Sequence, residues 1–271
     1  MKPEGKRVLI TGASSGLGLC LAWALAARGS KLILTSRRED VLRAVADEIQ
    51  DTYPDLPAPL VLPCDMTRPA DIRALIVSAE RRVGGVDILI NNAGISLFGD
   101  SERASFDDYR NLMEVDYFGP LSAMREVTPV MKRQGNGLIV NIASLAAIHG
   151  VPYLAAYCGA KAALATVSQS LRAELAATGI GILIVYPDYM QTPLFVNEKN
   201  VGGARRPPGP YTPPEQVAEA ILKAIESGKD ELVVSTRGKA MAFLSGFLPR
   251  IVNRVMVSLA SRYRQEVKFH G

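Results

Sequence analysis

Short hydrophobic runs alternate with longer segments of helical spacing along most of this chain. Six runs are nearly continuously apolar, the pattern expected of strands that are buried on both faces of a sheet. They cover residues 7–11, 31–36, 60–63, 86–91, 138–143 and 180–186. Helical spacing is found over residues 17–28, 40–50, 70–83, 106–132 and 155–178, and a further helix (214–227) and strand (231–235) follow. This alternation predicts an α/β fold, a Rossmann-type doubly wound parallel sheet with helices on both faces.

The size and composition fit a single domain. The chain has 271 residues, of which 48% are hydrophobic and 21% charged, so it can bury a large core and is too apolar for a disordered protein. It contains no run of 18 apolar residues and no signal-peptide pattern near its start, which predicts a cytoplasmic protein without a membrane span. Three widely separated cysteines indicate buried thiols, and no metal site is expected.

The positive charge is concentrated near the C-terminus. From Ser235 onward there are seven basic residues and one acidic residue, a net charge of +6, whereas the whole chain carries +4. The first 234 residues therefore carry a net charge of −2. This distribution argues against nucleic-acid binding by the whole protein.

A glycine-rich segment, residues 11–18 (TGASSGLG), follows the first strand and opens the first helix. Its glycines permit a tight turn and a close approach of the backbone to a pyrophosphate, which the free N–H groups of the helix N-terminus attract. Turns of this composition also occur without any ligand. Its position after the first strand of an alternating α/β chain favours a dinucleotide site.

The end of the second predicted strand indicates which dinucleotide is bound. An acidic residue there would bind the ribose hydroxyls, whereas an arginine accommodates a 2′-phosphate. The sequence is Thr35-Ser36-Arg37-Arg38, and a guanidinium binds phosphate in bidentate fashion, so NADP(H) is predicted over NAD(H). The alternative for Arg37 is a solvated charge. Asp65, after the third strand, is a candidate acceptor for the adenine amine or an ordinary turn residue.

Tyr157 and Lys161 are candidates for acid–base chemistry. They lie four residues apart on a predicted helix, so their side chains share one face. Such pairs also arise by chance, and the spacing alone does not identify a site. Ser144, at the end of the fifth strand, can return to Tyr157 across the strand-to-helix connection. A hydroxyl, a phenol and an ammonium would then meet at the carboxyl edge of the sheet, where α/β folds bind ligands.

Five motifs, taken together, resemble the short-chain dehydrogenase/reductase family in its compact single-domain branch. They are residues 11–18, Asn91-Asn92-Ala93-Gly94, Ser144, Tyr157-Cys158-Gly159-Ala160-Lys161 and residues 187–192. Their order and spacing match over about residues 5–235. The resemblance implies an oxidoreductase that interconverts a ketone or aldehyde and an alcohol.

The resemblance also implies roles for individual residues. Tyr157 would be the general acid in carbonyl reduction, and its phenolate would be the base in alcohol oxidation. Lys161 would stabilise the phenolate and bind the nicotinamide ribose, and Ser144 would orient the substrate oxygen. The expected cofactor-binding residues are Gly12, Ser14, Ser15, Gly16, Leu17, Gly18, Arg37, Arg38, Asp65, Met66, Asn92, Ala93, Gly94, Tyr157, Lys161, Pro187, Met190 and Thr192.

Two residues depart from the family pattern. Asp116 stands where the family has an asparagine that completes a catalytic tetrad. We expect it to keep the proton relay with altered proton affinities, because a carboxylate near Lys161 favours the charged ammonium. Asp188 stands where glycine commonly follows the proline, which makes the expected contacts of Met190 and Thr192 less secure.

The substrate side is predicted from the remaining sequence. Residues 1–236 are expected to form the catalytic domain, with a substrate lid at about 193–214, and residues 237–271 a basic, apolar C-terminal extension. Tyr153 and Phe195 are expected in the substrate wall. The extension has three open interpretations: an interfacial helix pair on anionic lipid, a helix that closes the substrate site, or a packing surface in a homodimer.

Two classes of function remain open at this point. The leading hypothesis is an NADP(H)-dependent oxidoreductase for a hydrophobic substrate of lipid, steroid or 3-oxoacyl type. It is expected to be a homodimer or homotetramer in the cytoplasm, with peripheral contact at the inner face of a membrane as a further expectation. The alternative is a cofactor-sensing or scaffold protein with little catalysis. The presence of Ser144, Tyr157 and Lys161 favours the enzyme, and Asp116 alone keeps the alternative open.

Overall fold

The computed structural model describes residues 1–196, 198–205 and 211–264. The strands within these ranges are β1 (Arg7–Thr11), β2 (Lys31–Thr35), β3 (Leu60–Val61), β4 (Ile88–Asn91), β5 (Leu97–Gly99), β6 (Gly137–Ile142), β7 (Ile180–Tyr186), β8 (Lys199–Val201) and β9 (Glu231–Val233). The α-helices in the same ranges are α1 (Gly16–Ala26), α2 (Glu39–Thr52), α3 (Pro69–Val83), α4 (Phe106–Met113), α5 (Gly119–Gln134), α6 (Ala155–Leu175), α7 (Pro193–Val196), α8 (Pro214–Glu226), α9 (Thr236–Phe247) and α10 (Pro249–Tyr263).

Seven strands form one sheet in the order β3-β2-β1-β4-β6-β7-β9. Every neighbouring pair is parallel, and Val8 of β1 lies opposite both Leu32 of β2 and Ile88 of β4. From β1 the chain first builds the sheet outward through β2 and β3, and then returns to the other side of β1 with β4. This change of direction leaves a crevice at the carboxyl ends of β1 and β4. The predicted doubly wound parallel sheet is confirmed.

The core has two apolar layers, one on each face of the sheet, and a third, smaller cluster that includes Phe98 and Tyr157. Val8 and Ile10 enter the layer formed with α1, α2 and α8. Leu9, between them, enters the opposite layer formed with α3, α5 and α6. All three side chains are fully buried. Strands covered on both faces need apolar residues at successive positions, which explains the nearly continuous hydrophobic runs in the sequence.

The long helix predicted at residues 106–132 is interrupted. A π-helical turn at Glu114–Phe118 separates α4 from α5. A π-helical turn accommodates one additional residue, and Asp116 within it is fully buried. The prediction of a regular helix was wrong here, because one inserted residue leaves the hydrophobic spacing on either side nearly unchanged.

A second, two-stranded parallel sheet was not predicted. It pairs β5 with β8, so that Leu97 lies opposite Lys199 and Gly99 opposite Val201. This sheet attaches part of the predicted lid to the segment that follows β4. Residue 197 and residues 206–210 of that lid lie outside the described residues.

The predicted C-terminal extension begins with two helices. α9 and α10 are joined at Leu248 and pack against each other. Among the described residues, no helix has the length and apolar character needed to cross a membrane. Residues 265–271 of the extension lie outside the described residues.

Candidate active site

A cleft of about 460 Å³ opens at the carboxyl ends of β1, β2, β4 and β6. It brings together most of the predicted site residues. Those that line it are Gly12, Ser14, Ser15, Gly16, Leu17, Arg37, Arg38, Asp65, Met66, Asn92, Ala93, Gly94, Ser144, Tyr157, Lys161, Pro187, Met190 and Thr192. Gly18 and Asp116 are not among the lining residues and lie behind them.

The turn between β1 and α1 presents bare backbone to the cleft. Gly12 and Gly16 have positive φ angles of 68° and 55°, a conformation that glycine adopts without strain. A side chain at Gly18 would clash with the carbonyl oxygen of Gly12, so this glycine lets α1 start directly against β1. The N-cap residue Ser15 makes no side-chain cap to α1. The first N–H groups of the helix are thus suited to bind a pyrophosphate.

Arg38 lies over this turn. Its Nη2 donates to Ser14 Oγ at 2.9 Å and to Ser15 Oγ at 3.2 Å. Arg37 also lines the cleft, but it has no such contact with the turn in the described part of the chain. Thr35 Oγ1, which is buried nearby, has no hydrogen-bond partner among the described residues. Arg38 thus places a guanidinium at the glycine-rich turn, where it could meet a phosphate group.

Asp65 takes part in a turn as well as in the cleft wall. Its Oδ1 accepts hydrogen bonds from the backbone N–H of Thr67 at 3.0 Å and from the Thr67 hydroxyl at 2.8 Å. The backbone hydrogen bond from Thr67, with the nearby charge of Arg37, holds the pKa of Asp65 below its ordinary value. Asp65 is therefore an ionised turn residue that also lines the cleft.

Ser144, Tyr157 and Lys161 converge at the other end of the cleft. Tyr157 and Lys161 lie one turn apart on α6 and are both buried. Lys161 Nζ lies 5.7 Å from the centre of the Tyr157 ring and donates to the carbonyl oxygen of Ile142 at 3.0 Å. Ser144 Oγ accepts a hydrogen bond from the backbone N–H of Ala146 at 3.1 Å, and Ser144 lines the same cleft as Tyr157.

Asp116 lies directly behind Lys161. Its Oδ2 is 3.0 Å from Lys161 Nζ, and its Oδ1 accepts the backbone N–H of Ile95 at 2.8 Å. A Cβ at Gly94 would come within 3.0 Å of Asp116 Oδ2 and 3.4 Å of Lys161 Nζ. The glycine therefore leaves room for this buried ion pair. The expected proximity of Asp116 and Lys161 is present as a direct contact.

A sequence model of the short chain dehydrogenase family matches residues 6–201. The chain belongs to the short-chain dehydrogenase family. Its members are oxidoreductases that act on alcohol or carbonyl groups, and solved structures similar to this chain contain NADP or NADH. The family resemblance predicted from the sequence is confirmed.

Individual family members resemble the chain over nearly its whole length. It is 33% identical over 267 residues to a dehydrogenase/reductase SDR family protein 7-like of Anopheles gambiae, across 96% of this chain and 84% of that protein. It is 32% identical over 257 residues to a fatty acyl-CoA reductase of Mycobacterium tuberculosis, across 93% and 84%. A crystal structure of a short-chain dehydrogenase from Burkholderia cenocepacia with NADP is 27% identical, with a TM-score of 0.82, across 95% and 99%.

Burial and a small set of charges control proton affinity at this family site. Burial raises the pKa of the Tyr157 phenol, and the carboxylate of Asp116 acts in the same direction, whereas Lys161 and Ser144 favour the phenolate. Burial opposes a charge on Lys161, but Asp116 and Tyr157 together raise the pKa of its ammonium above the ordinary value. Lys161 therefore stays charged and remains able to stabilise a phenolate.

The loop after β7 is held next to Ser144. Pro187 accepts a hydrogen bond from the backbone N–H of Leu145 at 3.1 Å, and Asp188 Oδ2 accepts one from the Ser235 hydroxyl at 2.7 Å. Met190 and Thr192 are buried and line the cleft. Asp188 thus anchors this loop, and with aspartate at this position both residues remain in the cleft wall.

The further lining residues of the cleft include four that the sequence did not single out as site residues. They are Ile95, Ser96, Val115 and Glu198. Ser96 Oγ donates to Glu198 Oε2 at 2.8 Å. Ile95 and Ser96 directly follow the Asn92 to Gly94 motif, so proximity in sequence was a usable signal for them. Glu198 lies within the predicted lid, but no pattern in the sequence singled it out there.

Phe195 and Tyr153 differ in their placement. Phe195 lines the cleft, with its ring centre 6.4 Å from that of Tyr157. Tyr153 is not among the described lining residues and packs instead against Phe98 and Tyr263, at ring-centre distances of 5.9 and 6.0 Å. The expectation that Tyr153 forms part of the substrate wall was wrong, because its ring turns toward the end of α10.

Proposed function

We propose that this chain is an NADP(H)-dependent oxidoreductase that interconverts a ketone or aldehyde and an alcohol. The observation that carries the proposal is the convergence of Ser144, Tyr157 and Lys161 in the same cleft as the glycine-rich turn. The bound nicotinamide supplies or accepts the hydride. The residues of the chain bind and orient the two reactants, exclude water, and move one proton.

Tyr157 is the proposed proton donor in the direction of reduction. Its hydroxyl gives a proton to the carbonyl oxygen as negative charge develops there, and Ser144 holds the same oxygen by a hydrogen bond. Lys161 stabilises the phenolate that remains, and its charge acts strongly because the site is buried. In alcohol oxidation the phenolate takes the proton back.

The preference for NADP(H) over NAD(H) rests on Arg38 more than on Arg37. Arg38 is fixed over the glycine-rich turn by Ser14 and Ser15, where the adenosine ribose of a dinucleotide would lie. The first N–H groups of α1 would bind the pyrophosphate. Residues 92–94, Pro187, Met190 and Thr192 would line the nicotinamide side.

Replacement of Arg38 by alanine should weaken the binding of NADPH more than the binding of NADH. A charge-assisted hydrogen bond is worth about 1.5–3 kcal/mol, so the KM for NADPH should rise about tenfold to a hundredfold. The KM for NADH should change little. Steady-state kinetics with both cofactors check this, with Arg43→Ala as the control, since Arg43 is exposed on α2 and paired with Glu39. Equal changes for the two cofactors would contradict the proposed role.

The proposed substrate is hydrophobic. Ile95, Val115, Leu194 and Phe195 supply apolar surface in the cleft that contains Tyr157, and the similarity to a fatty acyl-CoA reductase supports a lipid-like carbonyl compound. A panel of 3-oxoacyl thioesters, steroid ketones and small aldehydes, followed through NADPH absorbance, tests the proposal. Consumption that is fastest with the small aldehydes would contradict a hydrophobic substrate.

Asp116 is proposed to tune the proton relay. Its charge faces Lys161 and opposes the phenolate of Tyr157, beside Ser144 and Cys158. Asp116→Asn removes this charge, so the Tyr157 pKa should fall, and the alkaline limb of the pH–rate profile for carbonyl reduction should move to lower pH. The control is Glu114→Gln, an exposed carboxylate in the same π-helical turn. Identical profiles for Asp116→Asn and the unmodified enzyme would remove this role.

Assembly and location belong to the same proposal. Residues 1–236 would be the catalytic domain of a cytoplasmic homodimer or homotetramer, and residues 237–271 its extension. The net positive charge of the extension supports peripheral contact at the inner face of a membrane. The alternative of a cofactor-sensing protein with little catalysis depended on Asp116, whose direct pairing with Lys161 favours a working site.

A further inference from the structure

The helix pair formed by α9 and α10, residues 236–263, exposes an unusual amount of apolar surface. Eleven large hydrophobic residues of the described chain are exposed, and six of them lie in this helix pair. They are Phe243, Phe247, Leu248, Ile251, Val255 and Val257. Phe247 is 72% exposed and Phe243 is 64% exposed, and their rings lie against each other with centres 4.7 Å apart. Clustered apolar side chains of this kind indicate a binding surface.

The charge of the helix pair identifies the kind of partner. Residues 236–263 contain five basic residues and no acidic residue. Arg250 and Arg254 lie one turn apart on α10, and both are exposed. Within the described part of the chain, no ion pair involves either arginine. Aromatic side chains beside unpaired arginines match the interface of an anionic lipid bilayer, where rings enter the acyl boundary and guanidinium groups meet phosphates.

A second copy of the chain fits this surface less well. A twofold interface places the same surface on both partners. Such an interface would bring together two copies of a surface that has five basic residues and no carboxylate to offset their charge. A lipid headgroup layer supplies the missing negative charge without this repulsion.

The start of the helix pair rests on a wall of the active site, whereas its end packs on residues outside the cleft. At its start, Ser235 caps α9 through the N–H of Gly238 and donates to Asp188, which lines the cleft. Gly238 itself lies against the side chain of Leu145, directly after Ser144. At its end, Tyr263 packs against Phe98 and Tyr153. A surface that bound the helix pair would therefore lie close to the substrate end of the cleft.

We propose that the helix pair is an interfacial anchor, in which Phe247, Leu248 and their apolar neighbours insert into an anionic lipid surface while Arg250 and Arg254 bind its phosphates. The anchor holds the cleft at the lipid surface, where a lipid-dissolved carbonyl compound reaches Tyr157. The binding step is independent of catalysis, whereas the use of lipid-dissolved substrate rests on the proposed function.

Vesicle flotation with the full chain tests the anchor. The protein should bind vesicles of phosphatidylcholine with phosphatidylglycerol and bind phosphatidylcholine alone more weakly. Phe247→Ser with Leu248→Ser should lower the partition coefficient about tenfold or more, since both side chains would leave the acyl boundary. Arg250→Glu with Arg254→Glu should lower it at least about fivefold per arginine.

Matched controls use exposed residues elsewhere on the surface. Phe106→Ser removes an 80% exposed phenylalanine on α4, and Arg81→Glu with Arg82→Glu changes two exposed arginines on α3. Both controls should bind vesicles like the unmodified protein. Equal losses in the control and anchor variants, or no binding by the unmodified protein, would overturn the proposal. A change in oligomeric state in the Phe247 and Leu248 variant, without vesicle binding by the unmodified protein, would assign the surface to a second copy instead.

Activity measured without vesicles separates the two proposals. The anchor variants should reduce a water-soluble carbonyl compound at the rate of the unmodified protein. Loss of vesicle binding with this rate retained supports the anchor. Vesicle binding by a protein that reduces no carbonyl compound would overturn the proposed function and leave the anchor in place.

Discussion

Tyr157→Phe is expected to reduce the kcat for carbonyl reduction by about a hundredfold to ten-thousandfold, the range that a positioned proton donor contributes. The substitution removes the phenol oxygen and keeps the ring. Lys161 and Asp116 remain paired, and the wall against Phe195 is preserved. The KM for NADPH should therefore change little. Stopped-flow or steady-state measurement of NADPH oxidation gives both quantities.

Tyr153→Phe is the matched control for this result. Tyr153 lies four residues before Tyr157 in the sequence, but its ring packs against Phe98 and Tyr263 outside the cleft. It should retain nearly full activity. If Tyr157→Phe retained the activity of the Tyr153 variant, the proton would have to come from another group, and the proposed role of Tyr157 would be wrong.

Lys161→Met is expected to abolish activity and also to destabilise the fold. Removal of the ammonium leaves Asp116 buried without its ion-pair partner, and breaking a buried pair on one side costs about 3–5 kcal/mol of unfolding free energy. The loss should be smaller at acidic pH, since a protonated carboxyl needs no cation. Urea denaturation at several pH values measures it.

A double variant separates the two effects. Lys161→Met with Asp116→Asn removes both charges, and it should recover most of the lost unfolding free energy while remaining inactive. Ile95 would still find an acceptor in the asparagine amide oxygen. If the single variant were as stable as the unmodified protein, the ion pair of Asp116 and Lys161 would not contribute to the free energy of unfolding, and the expectation would be wrong.

Much of the fold follows from local patterns in the sequence. The buried strands are short and apolar, the helices between them have clear spacing, and right-handed crossovers leave few arrangements of such elements. β5 (LFG) and β8 (KNV) were missed because neither belongs to a continuous apolar run. The π-helical turn was missed because one inserted residue hardly alters the hydrophobic spacing of the helix. Only tertiary contacts show that Asp116 is buried within it.

The candidate site was predicted in its parts but not in its contacts. The glycine-rich turn, Ser144, Tyr157 and Lys161 could be named because their spacing in the sequence translates directly into positions on the sheet edge. Neighbouring arginines such as Arg37 and Arg38 cannot be distinguished from sequence, since the side chain that reaches Ser14 depends on how β2 ends. Contacts such as Ser96 with Glu198 join distant segments and carry no local pattern.

The most direct test of the proposed function follows the hydrogen atom itself. NADPH that carries deuterium at the transferable position of the nicotinamide is incubated with the protein and the best ketone of the substrate panel, and the alcohol is analysed by mass spectrometry. The proposal predicts one deuterium on the carbinol carbon, and about a hundredfold to ten-thousandfold less labelled alcohol with Tyr157→Phe over the same time. An alcohol that forms without the label, or a labelled alcohol formed equally by Tyr157→Phe, would contradict it.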